Sequence, residues 1–311
     1  MRAAAIDIGS NTLRMLIGDI QGHEITRIFL GRAITRLAQG MANSSMLGER
    51  NVKESLLALK GFSRSLVHYG IAEVRAVGTS ALRDARNRQG FIDTAFRETR
   101  IRIEVISGIR EAELTLRGVT LGMETEGCSL IIDIGGGSTE WILSREESPQ
   151  SALYGSLPLG VVTLSEKFMG GDPPSHTEVS SLAAEINAHL EPLRQKLAGH
   201  AIHPSKVFGT GGSITTLGSM DLGLGVYNHD KIHRHAIGLP RLYALRERLL
   251  SLPLSVRQSI PGLEPMRADL IIPGILLTIR WMELFEIPEI VVSDFGLLEG
   301  LLKEAYDESR L

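Results

Sequence analysis

The chain has 311 residues, of which 43% are hydrophobic and 22% are charged, and its formal net charge is -3. This is the composition of an ordinary water-soluble globular protein, long enough for two domains that each have a core. The small net charge gives no reason to expect general nucleic-acid binding, so any anion site must be a local concentration of donors and cations.

The chain contains one cysteine, Cys128, which excludes an intramolecular disulfide and fits a reducing compartment. Cys128 opens an apolar strand, which favours a buried thiol over a nucleophile. No secretory signal is visible, because Met1-Arg2 is followed directly by strand-like sequence. The longest apolar run, Leu270 to Ile279, is interrupted by Pro273-Gly274 and is too short for a membrane span. We expect a soluble cytoplasmic protein with no membrane partner.

Three consecutive strands are predicted at the start of the chain, over residues 3–8, 13–20 and 24–34. They are joined by turns that contain glycine, of which the first is Gly9-Ser10-Asn11. Apolar residues at helical spacing then predict a helix over residues 52–69, which ends at a glycine. Arg36 lies between the third strand and this helix.

Two further strands each lead into a helix whose first turn carries polar residues. The first leads into Gly78-Thr79-Ser80 and a helix that contains Arg83. Free N–H groups at a helix start, with an arginine nearby, favour a phosphate. Taken alone, however, the stretch is better explained by a Thr or Ser cap with solvated arginines. The second strand, over 101–106, leads into a helix with Glu111 in its first turn, where an acid is by default simply favourable to the helix dipole.

A second strand-turn-strand pattern runs from Ile131 to Glu140. Taken alone, it is equally well explained as a glycine-rich hairpin. Residues 5–16 nevertheless align with it without a gap. In this alignment the matched pairs are Asp7 with Asp133, Gly9 with Gly135, Thr12 with Ser138, and Arg14 with Glu140. The internal repeat predicts two related half-molecules, each with an acid and a turn whose N–H groups bind phosphate, facing each other across a cleft.

The second half of the chain contains a third glycine turn, Gly209 to Thr216, between a predicted strand and helix. It does not fit a dinucleotide fingerprint or a P-loop, because no lysine follows the glycines. His229 and His233 could bind a metal if they lay on one helix, but no Cys or Glu completes the set, which favours solvated or substrate-loop histidines. The remaining predicted elements are helices over 177–197 and around 270–284, a strand over 290–294 and a terminal helix over 297–306.

These motifs together resemble those of the exopolyphosphatase/guanosine pentaphosphate phosphohydrolase family, within the superfamily of actin, hexokinase and Hsp70. The stretches that carry the resemblance are Asp7 to Thr12 with Arg14, Thr79 to Ala85 with Asn87, Ile106 to Gly108 with Glu111, Asp133 to Glu140, Ser156 to Gly160, Gly209 to Thr216, Arg267 to Asp269 and Ser293 to Gly300. The resemblance spans nearly the whole chain. It implies an α/β fold of two ribonuclease-H-like (actin-like ATPase) domains with the active site in the interdomain cleft.

The resemblance also implies the domain boundaries. Residues 1–122 are expected to form domain I, and residues 123–294 to form domain II with the second phosphate-binding turn. The last helix, within residues 295–311, is expected to pack back on domain I. The chain is similar to the short, two-domain form of the family, whose longer members carry additional helical domains, and a homodimer is a further expectation from the family.

The implied activity is hydrolysis of terminal phosphoanhydride bonds, in inorganic polyphosphate or in guanosine pentaphosphate, with release of orthophosphate. The resemblance places the general base at Glu111, where family members carry their essential glutamate, and Mg²⁺ at Asp133 and Glu140, with Asp7 as a further candidate ligand. The implied phosphate contacts are the backbone of Ser10, Asn11, Thr12, Gly135, Gly136, Gly137 and Ser138 and the side chains of Arg83, Arg14, Arg36 and Arg267. Arg267 is equally well explained by a structural pair with Asp269.

The chain departs from the family pattern beside the implied base. Many relatives have two adjacent glutamates where this chain has Arg110-Glu111, and an arginine where it has Glu113. These changes leave the base intact and alter the charge around it.

Two other functions stay open at this point. An ATP-dependent small-molecule kinase of the same superfamily would share both glycine turns, but it would need an acceptor site, for which no motif is recognised. A non-enzymatic sensor of polyphosphate or an alarmone would bind without turnover. The presence of Glu111, Asp133 and Glu140 argues against a sensor without deciding the question.

Overall fold

The computed structural model describes residues 1–123, 127–145, 152–198 and 204–310. The chain divides into two compact units. Unit 1 comprises Met1–Gly122 together with Phe295–Leu311, and unit 2 comprises Met123–Asp294. The last segment of the chain therefore belongs to the same unit as the first, and unit 2 is continuous in sequence.

Unit 1 is built on a mixed sheet. Its strands are β1 (Arg2–Ile8), β2 (Thr12–Gln21), β3 (Glu24–Ile34), β4 (Glu73–Gly78) and β5 (Ile103–Val105). They lie in the order β3-β2-β1-β4-β5, in which the first three strands form an antiparallel meander and β4 and β5 continue in parallel to β1. The central strand, β1, is buried on both faces except at its first residue, as expected when helices cover both sides of a sheet.

Helices pack on both faces of this sheet. The helices of unit 1 are α1 (Met41–Ser44), α2 (Glu49–His68), α3 (Ser80–Asp84), α4 (Arg88–Thr99), α5 (Gly108–Gly122) and, at the end of the chain, α13 (Leu297–Glu308). Alternate residues of β1 face opposite sides of the sheet. Ala4 and Ile6 therefore join the core beneath α2 and α4, whereas Ala3 and Ala5 join the core beneath α5 and α13.

Helices α5 and α13 approach each other closely because glycines lie where they meet. A Cβ added to Gly118 would lie 1.8 Å from the carbonyl oxygen of Gly296, and one added to Gly300 would lie 1.9 Å from the carbonyl oxygen of Leu114. Arg110 on α5 also forms an ion pair with Glu304 on α13. These contacts fix the position of α5, which carries Glu111.

A buried ion pair ties α13 to the sheet. Arg27 Nη2 on β3 donates to Glu299 Oε1 at 2.6 Å, and the side chains of both residues are largely buried. The second oxygen of Glu299 accepts the N–H of Gly296 at 2.9 Å, which caps the first turn of α13. Both oxygens of this carboxylate therefore have a donor, as a buried charge requires.

Unit 2 contains a second mixed sheet. Its strands are β6 (Cys128–Ile134), β7 (Thr139–Arg145), β8 (Leu153–Leu157), β9 (Lys206–Thr210), β10 (Ala236–Gly238) and β11 (Glu289–Val292). They lie in the order β10-β11-β9-β6-β7-β8. Strands β6, β7 and β8 form an antiparallel meander, β9 and β11 continue in parallel to β6, and β10 closes the edge in antiparallel orientation.

The helices of unit 2 surround a large apolar core. They are α6 (Val161–Phe168), α7 (His176–Ala198), α8 (Gly211–Asp221), α9 (His229–Ile232), α10 (Leu239–Leu250), α11 (Leu254–Arg257) and α12 (Ile271–Leu284), with a 3₁₀ turn at Pro265–Arg267. Helix α12 is buried along almost its whole length and carries Trp281, which is fully buried. Across the described ranges, no helix combines the length and the apolar character needed to cross a membrane.

The predicted α/β class with ribonuclease-H-like sheets is confirmed. Each sheet has a three-stranded antiparallel meander followed by two parallel strands, so the order β8-β7-β6-β9-β11 in unit 2 repeats the order β3-β2-β1-β4-β5 in unit 1. The expectation of a buried Cys128 is only partly met. The thiol is half-buried, because Cys128 lies at the first residue of β6 rather than inside the strand.

The carboxylate of Glu178 organises the loop before α7. It accepts hydrogen bonds from the N–H groups of Gly170, Gly171 and Ser175 at 2.6–2.7 Å and from the hydroxyl of Ser175 at 2.7 Å. These hydrogen bonds, with those from Ser175 the strongest, lower the pKa of Glu178 from 4.5 to about 2. A lowered pKa in the folded state stabilises the fold above the unfolded pKa, and this stabilisation is lost as the pH falls from about 4.5 towards 2.

We expect Glu178→Gln to lower the Tm at pH 7, and we expect the difference from wild type to shrink steadily below pH 4.5. Thermal unfolding followed by circular dichroism at pH 7, 4 and 3 measures this. The control is Glu185→Gln on the same helix, which removes a carboxylate with a single exposed ion pair to Lys167. A Tm difference for Glu178→Gln that stays the same at pH 3 as at pH 7 would contradict the assignment.

Candidate functional site

The glycine turn of unit 1 lies at the carboxyl end of β1. Asp7 and Arg14 are direct partners across β1 and β2, and Arg14 donates to Asp7 Oδ2 through Nε at 3.0 Å and Nη2 at 2.7 Å. The N–H of Gly9 donates to the carbonyl of Thr12 at 3.2 Å and closes the turn. The other oxygen, Asp7 Oδ1, is buried without a hydrogen-bond partner among the residues that the structure describes. A water molecule or a cation would satisfy it.

The N–H groups of this turn have a defined direction. The carbonyl of Ser10 accepts the N–H of Ala38 at 2.9 Å, and the carbonyl of Asn11 accepts the N–H of Arg36 at 2.9 Å. In a trans peptide the N–H points opposite to the preceding carbonyl. The N–H groups of Asn11 and Thr12 are therefore directed away from the segment that follows β3. This is the geometry of an anion cradle.

Arg36 is held beside this turn in a strained conformation. Its φ is 51°, in the left-handed region that side chains with a Cβ rarely adopt. Its N–H is bound by Asn11, and its carbonyl accepts Asn51 Nδ2 at 2.9 Å. Backbone strain of this kind persists where surrounding contacts fix the conformation of the residue, and it is common at functional sites.

Glu111 and Arg83 form an ion pair at the same edge of the sheet. Arg83 Nη1 donates to Glu111 Oε2 at 3.2 Å and to the carbonyl of Ile106 at 3.2 Å. Strand β4, which leads into the helix of Arg83, pairs in parallel with β1, and the N–H of Thr79 donates to the carbonyl of Ile8. Unit 1 thus places Glu111, which is 8% exposed, on the same sheet edge as the glycine turn.

Arg110 and Glu113, where the chain departs from the family pattern, are paired with each other. Arg110 Nη1 lies 3.3 Å from Glu113 Oε2, and its other nitrogen binds Glu304. The positive charge of Arg110 is therefore balanced within α5 and α13. The charge change that the sequence predicts around Glu111 is largely compensated by these two ion pairs.

The glycine turn of unit 2 repeats the backbone geometry of the first turn with the opposite charge. The N–H of Gly135 donates to the carbonyl of Ser138 at 3.0 Å, matching the Gly9 contact in unit 1. Asp133 and Glu140 are direct partners across β6 and β7, and they are 7% and 1% exposed. Unit 2 thus has two buried carboxylates where unit 1 has a carboxylate and an arginine. Like charges directly opposite each other in a sheet destabilise it unless a cation is shared.

This carboxylate pair suits Mg²⁺. Magnesium is bound in proteins by one or two carboxylates, while water and substrate phosphates complete its octahedron. Over residues 1–123, 127–145, 152–198 and 204–310, no group of three or more His, Cys, Asp or Glu side chains forms a fuller metal site. Ser156 Oγ donates to Glu140 Oε1 at 2.7 Å and orients this carboxylate, a contact that the sequence analysis did not identify.

The carbonyls of the second turn are bound by α6. The N–H of Val161 donates to Gly135 at 3.1 Å, and that of Val162 donates to Gly136 at 2.8 Å. By the same peptide geometry as in unit 1, the N–H groups of Gly136 and Gly137 are directed away from α6. A Cβ at Gly160 would lie 2.2 Å from the Cα of Gly137, so this approach of α6 requires a glycine.

The third glycine turn lies beside Asp133 and Arg267. A Cβ at Gly211, whose φ is +87°, would lie 2.5 Å from Asp133 Oδ1, and one at Gly212 would lie 2.2 Å from Arg267 Nη1. Arg267 Nε donates to Glu264 Oε2 at 3.1 Å. Arg267 therefore forms an ion pair with Glu264, three residues earlier in the chain. Glycines at these positions admit the carboxylate and the guanidinium.

The histidines do not form a metal site among the described residues. Helix α9 ends at Ile232, so His229 and His233 do not share a helical face. His233 Nδ1 accepts the N–H of Asp294 at 3.2 Å, and His235 Nε2 lies 2.7 Å from Asp221 Oδ2.

Comparison with known proteins gives consistent results along the whole chain. Residues 16–308 match the Ppx/GppA phosphatase family. The chain is 29% identical to exopolyphosphatase 2 of Mycobacterium tuberculosis, over 96% of this chain and 97% of that protein. It is 30% identical to exopolyphosphatase 1 of Mycobacterium bovis, over 99% of this chain and 89% of that protein.

Solved structures give the same result. An exopolyphosphatase from Cytophaga hutchinsonii superposes with a TM-score of 0.91 at 30% identity, over 99% of this chain and 98% of that one. The Ppx/GppA family member from Aquifex aeolicus superposes with a TM-score of 0.83 at 28% identity, over 100% of this chain and 99% of that one. The similarity thus covers both units and every stretch that carries the candidate site.

Proposed function

The chain belongs to the Ppx/GppA phosphatase family, and on this basis we propose that it is an exopolyphosphatase that releases orthophosphate from the end of inorganic polyphosphate. The observation that carries the proposal is the ion pair of Glu111 with Arg83, on the sheet edge that also holds the glycine turn of unit 1. Relatives named exopolyphosphatases support polyphosphate as the main substrate. Guanosine pentaphosphate, which ends in the same type of phosphoanhydride, is the second candidate substrate.

In this proposal, unit 1 binds and orients the terminal phosphoryl group. Phosphoryl transfer depends on positioning and on neutralising charge. The N–H groups of Asn11 and Thr12 bind phosphate oxygens, with Ser10 completing the turn. Arg14 adds a cation whose orientation is fixed by Asp7, and Arg83 adds a second cation beside Glu111. Arg36 lies at the rim of this group.

Glu111 acts as the general base. As the oxygen of a water molecule bonds to the terminal phosphorus, one water proton passes to the Glu111 carboxylate, and the anhydride P–O bond breaks. The electron pair of that bond stays on the shortened chain, and the released group is orthophosphate. Arg83 holds the carboxylate in place through its 3.2 Å contact and faces the charge that develops on the phosphoryl oxygens.

In unit 2, we assign Mg²⁺ to Asp133 and Glu140. When bound, Mg²⁺ supplies charge neutralisation to phosphate oxygens. The N–H groups of the turn formed by Gly135, Gly136, Gly137 and Ser138 bind further oxygens, and Arg267 contributes a cation beside the third glycine turn. Asp7, with one oxygen engaged by Arg14, serves mainly to orient that arginine.

This division of roles predicts different effects for two matched variants. We expect Asp133→Asn to weaken Mg²⁺ binding by about 10- to 100-fold, since it removes one of two carboxylates from the cation site. Asp7→Asn is expected to raise the KM for polyphosphate while changing Mg²⁺ affinity less than about threefold, because its main role is to hold Arg14. Isothermal titration of the protein with Mg²⁺, alongside kinetics, measures both. Equal losses of Mg²⁺ affinity in the two variants would disprove the division.

Phosphate release by the purified protein tests the proposed function. Long-chain polyphosphate and guanosine pentaphosphate are compared in the presence of Mg²⁺, and the ratio of the two rates identifies the main substrate. Release without an acceptor supports the phosphohydrolase. Strict dependence on ATP and an acceptor would replace it with a kinase, and ligand binding without any turnover would replace it with a sensor. The cytoplasmic location and the homodimer stay predictions.

A further inference from the structure

Two exposed arginines of unit 1 lie outside the groups used above. Arg86 and Arg88 are exposed, and neither forms an ion pair with any residue in the described part of the chain. The neighbouring sequence contains little negative charge: no Asp or Glu occurs between Glu24 and Glu49, or between Asp84 and Asp93. We call Arg86 and Arg88, together with the connecting loop 39–46 that contains the single-turn helix α1, the arginine surface.

Hydrogen bonds hold the parts of this surface together. The N–H of Arg86 donates to the carbonyl of Ser45 at 3.0 Å. The side chain of Asn87 binds both backbone groups of Leu47, accepting its N–H at 2.8 Å and donating to its carbonyl at 3.0 Å. The loop and the arginines are therefore fixed to each other, so an extended ligand would meet them as one surface.

The arginine surface is continuous with the groups proposed to bind the terminal phosphate. On one side, Arg88 Nη1 donates to the carbonyl of Arg83 at 2.6 Å. On the other side, the loop begins just after Arg36, whose N–H is bound by Asn11 of the glycine turn. The arginine surface therefore adjoins residues that the mechanism uses on both sides.

The net charge of unit 1 is consistent with an anion-binding surface on this unit. Unit 1 contains 20 Lys and Arg against 16 Asp and Glu, a formal net charge of +4. The whole chain has a net charge of -3, so unit 2 has a net charge of -7. The excess of cations is confined to the unit that carries the arginine surface.

We propose that the arginine surface binds internal phosphates of a long polyphosphate chain while its end occupies the catalytic site. This inference rests on the proposed function and adds to it a subsite for the part of the polymer that is not cleaved. Each exposed arginine contributes weakly in water, but a polyanion contacts several at once. A substrate of two or three phosphates has at most two phosphates beyond the one that is cleaved, whereas a long chain has many, so the subsite would discriminate by chain length.

The test compares Arg86→Gln/Arg88→Gln with a control of equal charge change, Arg64→Gln/Arg97→Gln. Arg64 and Arg97 are exposed arginines of unit 1 near the far ends of α2 and α4, and Arg64 lies about 20 Å along its helix from the end that carries the loop. Two readouts are used: isothermal titration with long-chain polyphosphate in a Glu111→Gln background, and the ratio of the KM for long-chain polyphosphate to the KM for tripolyphosphate.

We expect the Arg86/Arg88 variant to weaken long-chain binding by about 3- to 10-fold and to raise the KM ratio by the same factor, and the control to change neither. The difference should shrink at high NaCl, because the Debye length falls from about 10 Å at 0.1 M salt to about 3 Å at 1 M. The single variant Arg86→Gln removes one charge but keeps the hydrogen bond of Arg88 to the carbonyl of Arg83, so it measures the loss of charge alone.

Equal binding of long-chain polyphosphate by the variant and the control would overturn the subsite. An equal rise of the KM for long-chain polyphosphate and the KM for tripolyphosphate would also overturn it, because these arginines would then act on the terminal phosphate. Failure of the proposed function is distinguishable, since then the wild type releases no phosphate at all. The titration still decides the subsite in that case: weaker binding in the Arg86/Arg88 variant supports it, and unchanged binding rejects it.

Discussion

Replacing Glu111 with glutamine should lower the turnover of polyphosphate by about 10²- to 10⁴-fold, the usual contribution of a positioned general base. Glutamine keeps the shape of the side chain and an oxygen that can accept the hydrogen bond from Arg83, but it cannot take a proton from water. Binding of polyphosphate should therefore stay within about threefold of wild type. Phosphate release at saturating substrate, with titration of long-chain polyphosphate, measures the two effects separately.

The matched control for this variant is Glu113→Gln on the same helix. Glu113 lies two residues further along α5, and its contact is an ion pair with Arg110 at a partly exposed position. Its loss should change turnover by less than about twofold, because a surface ion pair contributes little. Glu111 would lose its assignment as base if the two variants lost turnover equally, or if Glu111→Gln kept more than a tenth of the wild-type rate.

Replacing Gly118 with alanine should destabilise the protein by about 2–3 kcal/mol, the upper part of the usual range for overpacking. The added Cβ would lie 1.8 Å from the backbone oxygen of Gly296, and no side-chain rotation can relieve a contact with backbone. Helix α13 would have to move by more than about 1 Å relative to α5. Because α5 carries Glu111, a shift of this size is also expected to lower turnover by about 100-fold.

Gly90 provides the control for this prediction. It lies inside helix α4, and a Cβ there would meet nothing within 4 Å. Gly90→Ala should therefore stabilise the protein by about 0.5–1 kcal/mol, the ordinary gain from replacing a helical glycine. Chemical denaturation of both variants gives the comparison. Equal stability of the Gly118 and Gly90 variants would show that α5 and α13 do not depend on the glycine contact.

The parts of the fold that could be predicted from sequence are those with a local signature. Strand, glycine turn and strand follow each other within about a dozen residues, and the gapless alignment of residues 5–16 with the second turn correctly indicated that the two units share this pattern. The structure adds that Arg14 faces Asp7 and that Glu140 faces Asp133 across the two hairpins, because pairing across a tight hairpin is fixed by the turn. The ends of α7 and α12 also lie within two residues of the prediction.

The contacts that could not be predicted join residues with no local pattern in common. The hydroxyl of Ser156 reaches Glu140 only because β8 pairs with β7, and helix α6 is a short segment that sequence periodicity did not identify. Gly160, Gly211 and Gly212 are needed because groups distant in sequence approach them closely. The presence of a glycine in the sequence does not reveal which group will approach it. Such contacts depend on tertiary packing, whereas a turn depends on its own residues.

The return of the last helix to the first unit has a consequence for biosynthesis. Arg27 and Glu299 are 272 residues apart in sequence. Helix α5 also cannot form its close contacts with the glycines of α13 until α13 has been synthesised. Domains generally fold as units in the order in which the ribosome completes them. Unit 2, whose residues are continuous, is complete before unit 1. The segment of unit 1 that is translated first therefore matures last, and the helix that carries Glu111 is fixed in place only after α13 has been synthesised.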